Sequence, residues 1–184
     1  MLKTTLLFVL FSFICQVSQA QFDTSFAKSN ILKCADSLAY GFKHKDWELF
    51  TRYTYPAMIG TIGGKQAFIS FISDKFALMP DSAIKKYEPG RVLQVVKSGK
   101  DLQALLEINS VIEWQGIRVI STSHIIGESW SNGLYWTFFD SQNDIKLAKT
   151  INPGLSDQLV IPPKNEKMEP IVSPGKNKKD AGKH

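Results

Sequence analysis

The chain has 184 residues, with 22 Lys and Arg against 17 Asp and Glu, a formal net charge of +5. The excess sits at the end: residues 21–161 hold fifteen basic and fourteen acidic side chains, and Lys164, Lys167, Lys176, Lys178, Lys179 and Lys183 follow. A near-neutral body excludes the basic stripe that a nucleic-acid surface needs, so no nucleic-acid partner is expected. The Lys-rich stretch 164–184 has few core formers and is expected to be a disordered tail.

At the other end, Lys3 precedes an apolar run from Leu6 to Ile14, broken only by Ser12. It is too short for the roughly 20 residues of a membrane-spanning helix. Ser18-Gln19-Ala20 puts small residues at the two positions a signal peptidase reads. Residues 1–20 are therefore expected to be a cleaved secretory signal, the protein to be exported to the periplasm or secreted, and no transmembrane segment to remain. Residues 21–163 suffice for a single domain with its own core. Cys34 is then the one thiol left, so no internal disulfide forms. Its place between Ile31 and Leu38 reads as a small buried side chain.

In chain order, residues 24–43 are the first helix. Ile31, Leu32, Ala35, Leu38, Ala39 and Phe42 fall on one stripe, and Gly41 begins its end. Asp46 is placed to cap a short second helix containing Trp47, Leu49 and Phe50. Tyr53-Thr54-Tyr55-Pro56 is a hinge, because Pro56 biases Tyr55 towards extended geometry. Gly63-Gly64 is a turn, and Phe68, Ile69, Phe71, Ile72, Phe76 and Met79 mark a third helix ending before Pro80. The pattern then changes period. Tyr87–Val96 is a strand. Leu102–Trp114 alternates with Leu102, Ala104, Leu106 and Ile108 on one face, and with Gln103, Glu107, Asn109 and Glu113 on the other, where Glu107 and Glu113 are expected to be solvated. Gln115-Gly116 is a hairpin loop, Ile117–Ile126 a strand, and Asn132-Gly133 a second turn. Leu134–Phe139, dense in aromatic residues, is expected to be a central strand. Residues 141–163 read as a packed wrap with room for a helical turn. Helices first and hairpin-joined strands second predict an α+β fold, N-terminal helices packed on a curved antiparallel sheet.

The helices, the DWELFTRYTYPAMIG–TIGGKQAF passage and the long meander ending in WTFFD resemble the nuclear-transport-factor-2-like superfamily. This is the cone-shaped, cystatin-like fold of ketosteroid isomerase and SnoaL-like polyketide cyclases. The YTYP…GG…F combination also resembles small exported Bacteroidetes-type proteins of unassigned function. The resemblance covers roughly residues 25–161. It implies a pocket between the helices and the concave sheet face, and dimerisation through the sheet. In active members an Asp or His does acid–base work there, with a Tyr or a protonated acid holding the oxyanion.

The residues offer few candidates for such chemistry. His124 lies in a strand, in phase with Ile120, Thr122 and Ile126, and an imidazole in a cavity could move protons near neutral pH. Its plainer role is a satisfied sheet histidine. Asp140 could sit at a pocket rim, although a turn or capping role is its plainer reading, and Tyr53 and Tyr55 could donate from the hinge, although apolar packing is their more ordinary role. Tyr53, Tyr55, Trp114, Trp136 and Phe138 are the aromatic residues expected at an apolar ligand pocket. No phosphate loop, nucleophile elbow or metal-ligand spacing occurs, so no cofactor or metal is expected. Two functions remain in view. One is an exported, non-catalytic domain that binds a small apolar ligand or a protein. The alternative is a ketosteroid-isomerase-like or dehydratase-like enzyme acting on a small apolar carbonyl compound through His124 or Asp140, with Tyr55 as donor.

Overall fold

A computed structural model of the chain describes residues 24–171. The expected export signal, and the tail from residue 172 onward, lie outside these residues. Among the described residues there are five α-helices and five strands, helices first and strands second as predicted, with the short helix at Pro56 and the last strand not foreseen. They are α1 (Thr24–Lys43), α2 (Trp47–Arg52), α3 (Pro56–Thr61), α4 (Lys65–Phe76), β1 (Ile84–Ser98), β2 (Asp101–Trp114), β3 (Ile117–Ser129), β4 (Thr137–Asp140), α5 (Ile145–Ile151) and β5 (Asn165–Pro170). Among the described residues no helix is long and apolar enough to cross a membrane.

The apolar stripe of α1 buries Ala27, Ile31, Cys34, Ala35, Leu38 and Phe42 against the sheet. Asp46 caps α2, its side chain accepting the Leu49 N–H at 2.9 Å. α1 ends at Lys43 as predicted, and Gly41 is the glycine of its last turn. It lies where α2 crosses, and a Cβ there would stand 2.7 Å from the Phe50 nitrogen. The hinge then joins the sheet: Tyr55 N–H donates to Phe138 O, and Phe138 N–H to Tyr53 O, both at 2.8 Å. Pro56 opens α3, where its missing N–H costs nothing. Gly63 and Gly64, at φ 101° and 95°, turn the chain into α4.

The sheet runs β1-β2-β3-β4, all antiparallel, with β5 also paired to β3. β4 pairs with residues 125–128 of β3, and β5 with 117–122, so the two share one edge end to end. Register shifts around Pro89 and Val92 mark irregularities in β1. Such bulges bend a strand, and Pro89 is tolerated because β1 is an edge strand.

Three expectations change here. Leu134–Phe139 is not a central strand: only Thr137–Asp140 is extended, at the edge, where the Tyr53–Tyr55 hinge forms an isolated bridge to Phe138 on its outer side. The domain does not stop at Pro163, because Asn165–Pro170, expected in the disordered tail, forms β5. Main-chain pairing to the free edge of β3 needs no apolar side chains, so composition did not reveal it. Third, both sheet faces are covered. Leu102, Ala104, Leu106 and Ile108 face the helices, while Leu105 and Ile126 pack under α5 with Ala148, Leu155 and Leu159. The wrap over residues 141–163 is therefore a second covering layer.

Candidate functional site

A cavity of about 410 Å³ lies between the helices and the sheet, within the roughly 300–1,000 Å³ of small-molecule sites. Phe42 and Leu38 enter from α1, Phe50 from α2, and Met58 from α3. Phe68, Ile72 and Phe76 come from α4, and Tyr87, Ile112, Ile125 and Phe138 from the sheet. The stripes that make these segments amphipathic thus converge without filling the space between them. The polar groups on this lining are Thr54, Lys75, Tyr87, Ser123 and Asp140.

Asp140 ends β4 on the same strand face as Phe138 and is exposed at the cavity edge. Its Oδ1 accepts the Gln142 N–H at 2.7 Å. Tyr87 lies half-buried on β1. Burial first, and then the charge of Asp140, push its hydroxyl above the ordinary phenol range. Tyr87 therefore keeps its proton at any physiological pH and is a hydrogen-bond donor facing a carboxylate-bearing cavity. The sequence pattern marks Tyr87 only as the start of a strand. The signal for its role was its phase relative to the helix-facing residues of β1, which the bulges obscure.

His124 is elsewhere. It is 3 % exposed and lies on the opposite sheet face, under the C-terminal wrap. The cavity takes Ser123 and Ile125 from β3, the residues out of phase with it. Its Nδ1 lies 3.1 Å from Asn143 Oδ1, and its cross-strand neighbour is Glu107. Glu107 was expected to be solvated but is 9 % exposed, because the wrap crosses above it. Arg91 grips it with Nη2 to Oε1 at 2.6 Å and Nε to Oε2 at 3.1 Å. Those hydrogen bonds hold the Glu107 carboxyl below the usual carboxylate range. Arg91, Glu107, Thr122, His124, Pro162 and Pro163 border a recess of about 390 Å³ there. Within it Glu107 is paired with Arg91, while Thr122 donates to Asn109 Oδ1.

Tyr55 also belongs to that second face. It is buried between Trp130 and Phe139, with ring centroids 5.6 and 5.1 Å away. Burial, together with the nearby Glu128 carboxyl, pushes its hydroxyl up to about 12. His124, Asp140 and Tyr55 therefore do not converge: only Asp140 borders the helix-side cavity. Of the five aromatic residues expected at a ligand pocket, Phe138 alone lines it. Trp136 is wholly buried in the core beneath α1, its Nε1 donating to Gly133 O. Tyr53 packs on Tyr135, and Trp114 is partly exposed at the end of β2. Cys34 is buried, and burial pushes its thiol up, which keeps it protonated and unreactive. Among the described residues no group of three or more His, Cys, Asp or Glu is placed to hold a metal ion.

The arrangement can enclose a small apolar body and offer it a phenol donor and a carboxylate at one end. No family model matches the chain, and neither a curated protein nor a solved structure matches it.

Proposed function

We propose that this chain is an exported, non-catalytic binding domain of the nuclear-transport-factor-2-like type that takes a small apolar ligand into the cavity between its helices and its sheet. The observation that carries this reading is the cavity itself: a space of about 410 Å³ whose walls are mainly Phe, Leu and Ile, with few polar groups. Such a composition removes apolar surface from water while leaving a few hydrogen-bonding groups to orient the guest. The test is calorimetric titration of the full chain with small apolar compounds, repeated on Ser123→Phe, which fills the sheet floor of the cavity. Binding abolished by that substitution supports the reading. Binding unaffected by it, in a variant that still folds, would refute it.

The enzyme alternative keeps one specific support. Asp140 and Tyr87 border the same cavity and interact electrostatically, so a carboxylate base and a phenol donor stand together. In this reading Tyr87 takes the role expected of Tyr55, and His124 has none. Turnover of a small carbonyl compound that falls in Asp140→Asn would favour it over pure binding. Self-association through the sheet belongs to the proposal as well. Trp114, Ile117 and Met168 are exposed near the β2–β3 hairpin and β5, and we assign the dimer contact to that end.

A further inference from the structure

Asp140 is the one carboxylate in the lining of the helix-side cavity. Among the described residues no Lys, Arg or His forms a salt bridge with it. The Gln142 N–H donates to Oδ1, and Oδ2 is left for a further partner. The walls of this cavity are aromatic, with Phe42, Phe50, Phe68, Phe76, Tyr87 and Phe138 among them. The faces of such rings carry negative potential and attract a cation within about 6 Å of the centroid. One ring of this wall already holds a cation: Lys75 Nζ stands 5.9 Å from the centre of Phe76.

We propose that the ligand of this cavity is an organic cation, an amine or quaternary ammonium carried on an apolar body, with its charged head at Asp140 and its body among the aromatic rings. The inference rests on the binding reading above and names the ligand class for that site. A neutral guest gains nothing from the charge of this exposed carboxylate at the cavity edge. An anionic guest would be repelled by it. Lys75 opposes a cation at the α4 side, which leaves the Asp140 side for the head. The ring faces and the carboxylate act together there, in a site partly screened from water.

The experiment uses the full chain and three probes with one shared body: phenylbutylammonium, phenylbutanol and phenylbutyrate, titrated near neutral pH at low salt. The ammonium is expected to bind about tenfold more tightly than the alcohol, with the carboxylate weakest. The preference is expected to shrink as salt is added. It is expected to vanish in Asp140→Asn, which keeps the acceptor for the Gln142 N–H, so that the ammonium and the alcohol bind that variant alike. Equal affinity for the three probes, abolished by Ser123→Phe, would overturn the cation inference and leave the cavity reading standing. A charge preference that survives Asp140→Asn would overturn the inference too. Failure of all three to bind would overturn both.

Discussion

Gly41 sets two physical effects against each other, and the structure says which wins. Glycine inside a helix costs about 1 kcal/mol relative to alanine, so propensity alone predicts that Gly41→Ala stabilises the protein. The alanine Cβ, however, would lie 2.7 Å from the nitrogen of Phe50, 3.0 Å from its Cα and 3.1 Å from the Asp46 carbonyl oxygen. All three are backbone atoms at the start of α2, so no side chain can turn aside to make room. Overpacking of this kind costs about 1–3 kcal/mol, and immovable backbone puts it at the upper end. The net expectation is a loss of about 1–2 kcal/mol, or roughly 3–6 °C in Tm for a domain of this size. Urea unfolding followed by circular dichroism measures it. Gly60→Ala is the matched control: Gly60 is helical and nothing stands within 4 Å of its would-be Cβ. That variant should gain about 0.5–1 kcal/mol. The same crossing sets Phe42 against Phe50, with ring centroids 5.9 Å apart on the cavity wall. Gly41→Ala should therefore also weaken ligand binding. If Gly41→Ala is as stable as the unaltered chain, the close approach of α1 and α2 does not hold the helix layer together as argued.

Two further outcomes follow from the covered second face and the added edge strand. Glu128 is buried, burial pushes its carboxyl up, and it accepts hydrogen bonds from Gln103 and Asn152 of the wrap contact. A raised folded-state value means that the folded protein holds this proton more tightly. The stability it contributes is full below the unfolded carboxyl value and is lost as pH rises through the folded one. Glu128→Gln should remove that component of the slope in urea unfolding above about pH 4, and an unchanged slope would contradict the assignment. Glu107, held low by Arg91, acts with the opposite sign: its contribution is lost as pH falls. Truncation after Pro163 removes β5 and its pairing with β3 from Ile117 to Thr122. It should lower stability by about 2–5 kcal/mol, at about 1 kcal/mol for each main-chain hydrogen bond lost, whereas a disordered tail would leave unfolding unchanged.

Several parts of the fold were legible because their causes are local. Asp46 caps α2 as its position and hydrogen-bonding side chain implied, and the Gly63-Gly64 turn takes the backbone angles that glycine permits. Gln115 and Gly116, both at positive φ, close the β2–β3 hairpin where the alternation breaks. The candidate site was legible in part. Asp140 was placed at a rim because it follows an aromatic strand. Strand period gives His124 its phase but not the face that holds the cavity, and the bulges of β1 hide the phase of Tyr87. Alternation divides a strand into two sets of side chains and does not say which set a helix covers, or that both are covered.

By itself, then, the sequence determined the kind and order of the elements, since helical period, strand alternation, caps and turns each act over a few residues. Tertiary structure alone decided what lies across the chain from what: the wrap that buries Glu107, the polar segment recruited to the open edge of β3, and the cavity where Asp140 meets Tyr87. Those depend on which surfaces are left to be covered once the elements assemble, and contacts between residues dozens of positions apart leave no mark on local pattern.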